Sequence, residues 1–266
     1  MRFFWLLAAF VVCSGSAFGQ SCDSIKILSV ENFASGVTSN SLGGISKILW
    51  CDFELPAPTT PVTSVLVHGQ PAFIALQSIM QTSPVTSVIF HGYPSYVPQE
   101  IVAQLPNTGV PINAAQLQLL RGNMTVASTS IQIEDFAPGI FTLDGTPAGP
   151  AVVFNSSMRY ILANKPAHAG EALTVFCEGL GPTSPFVPAG SVPNGLAITT
   201  TTPQVYVGNQ LAAVIVSKLA SVAATPSAAG IYEVKFVVPP VSSGNLPIYL
   251  SIGGKTSNTA TLPVAP

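Results

Sequence analysis

Charge is scarce in this chain of 266 residues: nine Lys and Arg and eleven Asp and Glu amount to 8% of it, against 48% hydrophobic residues. Nine scattered cations cannot supply the basic stripe that neutralises phosphates, which excludes a nucleic-acid binder. Disorder is excluded too, because a disordered chain couples low hydrophobicity to high net charge and this one carries only −2. Histidine is nearly missing, so a Ser-His-Asp arrangement would have to use His68, His91 or His168. Past the N-terminal segment there is no G-x-S-x-G elbow. No glycine-rich loop follows a strand and opens a helix, as a nucleotide site requires. Long apolar runs are also missing there: the most apolar later stretch, Leu211 to Ala224, is interrupted by Ser217 and Lys218 and is too short to span a bilayer.

What is present begins at the N-terminus. Arg2 is a short basic region, Phe3 to Cys13 an apolar one, and Ala17-Phe18-Gly19 places small residues where a signal peptidase reads them. The pattern predicts a secretory signal, residues 1–19, cut after Gly19. A retained membrane anchor is the alternative, and the apolar run is short for it. A lipoprotein signal would want a small residue where Val12 precedes Cys13. Loss of Arg2 leaves eight cations against eleven anions, a net charge of −3. The predicted location is therefore secreted, periplasmic or cell-envelope, with no membrane span once the signal is removed.

Of the four cysteines, Cys13 leaves with the signal, and Cys22, Cys51 and Cys177 remain. An odd number leaves at least one thiol free or paired between chains. Cys51 and Cys177 each sit in an apolar run, where the expected role is a small buried hydrophobe. None has the spacing, or a histidine neighbour, that a zinc site needs.

Strand signals fill the rest. Val65-Leu66-Val67, Ser87 to Phe90, Ile101-Val102-Ala103, Val152-Val153-Phe154, Val205-Tyr206-Val207, Tyr232 to Val238 and Ile248 to Ile252 are short β-branched or aromatic runs bounded by turn residues. The 24 prolines and 22 glycines are spread along the whole chain and cut it into short segments. Asn113 to Leu120 has some helical character and is assigned as a strand because of its counterpart in the second half. Many short strands with frequent turns predict an all-β fold of sandwich type.

Two copies of one plan are visible. Trp50-Cys51 matches Phe176-Cys177, and Val65-Leu66-Val67-His68-Gly69-Gln70 matches Val205-Tyr206-Val207-Gly208-Asn209-Gln210. Glu100 to Pro106 matches Glu233 to Pro239, and Leu119 to Asn123 matches Ser251 to Lys255. The expected organisation is a first immunoglobulin-like β-sandwich over residues 20–136 and a second over residues 137–266, each long enough for the fold. The Pro138-Gly139 pair punctuates the boundary.

Ala137-Pro138-Gly139-Ile140-Phe141-Thr142, Gly149 to Val153, Gly179-Leu180-Gly181-Pro182-Thr183 and Ser257-Asn258-Thr259-Ala260-Thr261 together carry a resemblance. From Phe136 onward the chain resembles the C-terminal domain of secreted acidobacterial proteins of the Solibacter type, which is similar to IPT/TIG immunoglobulin-like domains. Over the first copy the family's Ser-Pro-x-Gln-Ile-Asn strand is reduced to Tyr96-Val97-Pro98-Gln99-Glu100-Ile101. The resemblance implies a β-sandwich, an extracellular setting and attachment to larger secreted proteins. It implies no catalytic residue.

No residue is assigned a catalytic, cofactor-binding or metal-binding role. His68 and His91, each before a glycine, read as turn residues. Asp52 with Glu54, or Glu134 with Asp135, could join a calcium site together with backbone carbonyls; Asp144-Gly145 lacks the flanking ligands of a calcium loop and reads as a turn. Phe90, Tyr93 and Tyr96 gather three aromatic rings around His91-Gly92 and Pro94, and are the candidate ligand-binding residues, able to lie against a sugar or a peptide. The Pro/Thr-rich stretches Pro56 to Thr63 and Pro182 to Pro203 read as extended loops. The expected function is a non-catalytic interaction or structural module of the cell envelope, with an extracellular protein or glycan as partner; the alternative is a carbohydrate-binding or adhesion protein using loop 90–96.

Overall fold

The computed structural model describes residues 24–54, 61–79, 95–220 and 229–266. They form twenty strands and no helix. The first eight are β1 (Lys26–Asn32), β2 (Ser39–Ser41), β3 (Ile45–Glu54), β4 (Ser64–Val67), β5 (Gln70–Ile79), β6 (Ser95–Gln104), β7 (Asn113–Arg121) and β8 (Met124–Glu134). There follow β9 (Gly139–Ile140), β10 (Val153–Asn155), β11 (Ala167–His168), β12 (Ala172–Glu178), β13 (Thr183–Ser184), β14 (Ile198–Thr199) and β15 (Gln204–Val207). The last are β16 (Gln210–Leu219), β17 (Tyr232–Val237), β18 (Gly244–Ile252), β19 (Lys255–Thr256) and β20 (Ala260–Ala265). The Asn113 segment is thus a strand, with Ala115, Leu117 and Leu119 turned inward at a period of two.

The strand order defines two immunoglobulin-like sandwiches in tandem. In the first, β1, β3, β6 and the second half of β5 form one layer, and the first half of β5 with β4, β7, β8 and β2 forms the other. Strand β5 changes layer at a bulge between Ile74 and Leu76, where an extra residue bends the strand. Strand β2 lies parallel to β8, and every other pairing in this sandwich is antiparallel. The second sandwich repeats the plan: β12, β17 and the second half of β16 in one layer, β15, β18 and β20 in the other, β11 parallel to β20, and a bulge between Val214 and Val216.

The repeat extends to the turns. Val65, Leu66 and Val67 pair with Ala72, Pro71 and Gln70, and Val205, Tyr206 and Val207 pair with Ala212, Leu211 and Gln210. Both hairpins close on two residues of positive φ, His68 (51°) with Gly69 (77°), and Gly208 (55°) with Asn209 (66°). This is the mirror-image turn that matches the right-handed twist of the strands. His68 is accordingly an exposed turn residue.

Two of the four sequence matches are one residue out of register. Trp50 pairs with Gln99 and Cys177 with Tyr232, so the counterpart of Trp50 is Cys177, not Phe176. Likewise Val65 pairs with Leu119 and Val205 with Leu250, which equates Leu119 with Leu250, not Ser251. A one-residue shift moves a side chain to the other face of the sheet. Aligning the two cysteines therefore paired residues on opposite faces.

Each sandwich fills its own interior. Ile48, Trp50, Val65, Val67, Ile101, Leu117, Leu119 and Ile133 pack in the first; Leu173, Val175, Cys177, Val205, Val207, Val234, Phe236, Ile248 and Leu250 pack in the second. Every such side chain contributes about 1.5–3 kcal/mol by leaving water. Cys177 is a buried free thiol, as its sequence context suggests, and burial raises its pKa well above the ordinary value. Cys51 is buried but disulfide-bonded, which corrects its reading as a plain hydrophobe.

Candidate functional site

Outward-facing positions of a sandwich are normally polar, yet Val102 on β6 and Phe176 on β12 point outward and are buried. They belong to a third apolar cluster made by both sandwiches: Ile45 and Val102 from the first, Val152, Phe154, Phe176, Ala220 and Ile231 from the second. Phe33 and Phe141 add rings whose centroids lie 6.2 Å apart, and Phe176 meets Phe154 edge-on at 5.4 Å.

Polar side chains lock this joint. Glu178, at the end of β12, is 0% exposed and reaches into the first sandwich, where Oε1 accepts the Ala34 N–H and Oε2 the Ile45 N–H, both at 2.6 Å. Burial pushes its pKa up to about 8, against the opposing pull of those N–H groups. Asn32 donates from Nδ2 to the Ala137 carbonyl at 2.9 Å, while its Oδ1 accepts from the N–H and the hydroxyl of Ser35. Gln104 donates to the Gly43 carbonyl and accepts the Gly190 N–H at 2.6 Å; Asn107 donates to the Val187 carbonyl and accepts the Ala189 N–H. At the rim Lys255 pairs with Glu134, and that hydrogen bond holds the Glu134 carboxyl below the usual range.

The segments around Ala137, Gly179 and Asn258 meet beside the joint. Ala137 N–H donates to the Gly179 carbonyl, and Asn258 holds both main-chain groups of Ile140. Gly179 has φ +72°, and a Cβ there would lie 1.9 Å from the Ala137 carbonyl oxygen. The proline-rich stretch after Pro182 is more than a loop. It contains β13 and β14, and its Val187, Ala189 and Gly190 bond to the first sandwich.

A second feature lies on the far side of Phe154. Asn155 Oδ1 accepts the N–H groups of Ser157 and Arg159 and so folds a turn; Leu162 and Lys165 close another by exchanging main-chain hydrogen bonds. Between these turns and the start of β12 opens a cleft of about 520 Å³, lined by Asn155, Arg159, Tyr160, Lys165, His168 and Glu171 among others. The Tyr160 ring packs on Phe154 at 4.1 Å, so the wall of the cleft continues into the joint. His168 places Nδ1 2.8 Å from the main-chain oxygen of Pro266, and Glu171 accepts the His168 N–H.

Phe90 and Tyr93 lie outside the described residues, as does His91; Tyr96 is placed only by its backbone, opposite Phe53 in the β3–β6 pair. Asp52 and Glu54 are likewise placed by backbone alone. Glu134 is engaged by Lys255 and Ser39, and Asp144 caps its own turn through Thr146. Among the described residues no three His, Cys, Asp or Glu side chains gather as metal ligands, and no helix is long and apolar enough to cross a membrane. The joint escaped the sequence reading because buried outward residues look like core residues. The available signal was the unbroken burial-prone runs Ile101-Val102-Ala103 and Val175-Phe176-Cys177, too apolar for strands with one wet face.

No protein-family model matches this sequence, and no curated protein does. Among solved structures, the chain is similar to the surface glycan-binding protein SGBP-B of the Bacteroides ovatus mixed-linkage glucan utilization locus, solved with a mixed-linkage heptasaccharide. Identity is 11%, with 86% of this chain and 44% of that one covered, at a TM-score of 0.32. The surface glycan-binding protein PbSGBP-B from Prevotella bryantii matches at 13% identity over 91% of this chain and 42% of that one, with a TM-score of 0.27. The tandem Ig repeats of Dlar match at 9% identity, over 91% and 98% of the two chains, with a TM-score of 0.22. The chain spans less than half the length of the two glycan-binding proteins.

Proposed function

We propose that the chain acts outside the cytosol as a non-catalytic interaction and structural module, two sandwiches held at one fixed angle so that their surfaces face a partner together. The observation that carries this reading is the buried Glu178, whose two oxygens are both committed to main-chain N–H groups of the other sandwich. A flexible pair of domains needs no such joint, since inter-domain contacts that permit motion are small and wet. Export through a signal cut after Gly19, a division into residues 20–136 and 137–266, and membership of the Solibacter-type family belong to the same proposal. The partner is an extracellular protein or glycan.

Affinity capture from the native envelope tests it. The wild-type protein is expected to retain an envelope component that Glu178→Ala releases although both sandwiches stay folded. Recovery of the protein in the cytosol with its first nineteen residues intact would contradict the reading. The second reading, a carbohydrate site on Phe90, Tyr93 and Tyr96, rests on three rings within seven residues of sequence. It predicts that Tyr93→Ala with Tyr96→Ala abolishes retention on polysaccharide, and unchanged retention removes that loop as the site.

A further inference from the structure

From the cleft between the turns at 155–159 and 162–165 we infer a binding site for an acidic saccharide, one carrying a carboxylate or sulfate on a sugar ring. This inference stands apart from the reading of the joint. Three observations lead to it. The cleft, at about 520 Å³, falls within the roughly 300–1,000 Å³ of small-ligand sites. Its two cations are uncommitted: Lys47 meets Glu31, Lys218 meets Glu233 and Lys255 meets Glu134, whereas no ion pair engages Arg159 or Lys165 among the described residues, and both line one opening. Glu171, whose Oε2 accepts the main-chain N–H of His168, is the one carboxylate in the lining against these two cations.

The rest of the lining specifies what carries the anion. Tyr160 and Pro166 supply apolar surface suited to the C–H face of a ring. Asn155 has its Oδ1 filled by two main-chain N–H groups, which leaves its amide N–H to donate to a hydroxyl. With Nδ1 of His168 against Pro266, Nε2 is the ring nitrogen left for a ligand. A ligand combining apolar ring faces, hydroxyls and one negative charge matches all of these; a bare anion would leave the apolar walls uncovered. The site is rigid because Asn155 ends β10, His168 lies in β11 against β20, and Tyr160 is braced by Phe154.

Calorimetric titration of the full chain with a trigalacturonate, a sulfated galactose trisaccharide and a neutral galactose trisaccharide tests the assignment. At least one acidic trisaccharide is expected to bind at least tenfold tighter than the neutral one, and which of the two does so identifies the anionic group. Arg159→Gln with Lys165→Gln, both exposed positions, is expected to weaken that binding at least tenfold with an unchanged melting temperature. Equal affinity for all three sugars, binding of neither acidic one, or an unaffected double variant would overturn the proposal. Inorganic sulfate binding as tightly as the sulfated sugar would overturn the saccharide part of it.

Discussion

The carboxyl group of Glu178 and the main-chain N–H of Ile45 lie 133 residues apart in sequence and 2.6 Å apart in space, on opposite sides of the joint between the two sandwiches. With Ala34 bound to the other oxygen, removing this side chain strands two buried donors at about 1–3 kcal/mol each. Glu178→Ala is therefore expected to lower the stability of the whole chain, read by urea denaturation, far more than an exposed Glu→Ala change would.

The same carboxyl sets a pH dependence. Its folded pKa of about 8 lies above the ordinary value of 4.5, so between these values the folded chain holds more proton than the unfolded one. The contribution of this group to stability is then greatest below pH 4.5, falls by up to about 1.4 kcal/mol per unit as pH rises through the window, and levels off above pH 8. Glu178→Gln removes the titrating group. Denaturation of wild type and variant at pH 5, 7 and 9 should show a clearly steeper fall in the wild type.

Gly179 combines a left-handed backbone with a carbonyl oxygen where a side chain would start, and Gly254 has a left-handed backbone in open space. Gly254→Ala should cost about 1–2 kcal/mol, the left-handed penalty alone. Gly179→Ala should cost clearly more, because the Ala137 segment must also move. Equal losses in thermal denaturation would show that this segment yields freely.

In the hairpin turn, His68 occupies the first positive-φ position, filled by Gly208 in the second sandwich, and asparagine takes such a position with less strain than histidine. His68→Asn is expected to raise stability by about 0.5–1 kcal/mol. A loss of stability would mean that the imidazole makes a contact beyond the turn.

Much of this fold is legible in the sequence, because strand alternation and turn chemistry are local. Val65 to Gln70 and Val205 to Gln210 announce the same hairpin. Register is less legible, since Trp50 and Cys177 share a position without sharing a residue type. The joint is least legible. Glu178 reads as the polar end of an apolar strand, and only the approach of Ala34 and Ile45, far away in sequence, makes it the keystone. The cleft is similarly non-local in character: Arg159 and Lys165 are two ordinary surface cations until the turns at Asn155 and Leu162 bring them to one opening.

Cys177 offers a check on the interior. Buried in the second core with its pKa raised, the thiol should resist alkylation in the native protein and react only on unfolding. Rapid labelling of native Cys177 at neutral pH would contradict the packing of Val175, Tyr232 and Val234 around it.

The most direct test of a fixed angle between the sandwiches is the distance distribution between spin labels at Met124→Cys and Met158→Cys, one on each sandwich and both well exposed in the native protein (65% and 62%). A single narrow distance that broadens in Glu178→Ala is the result predicted. A broad distribution in the wild-type chain, unchanged by Glu178→Ala, would contradict the joint as a rigid element.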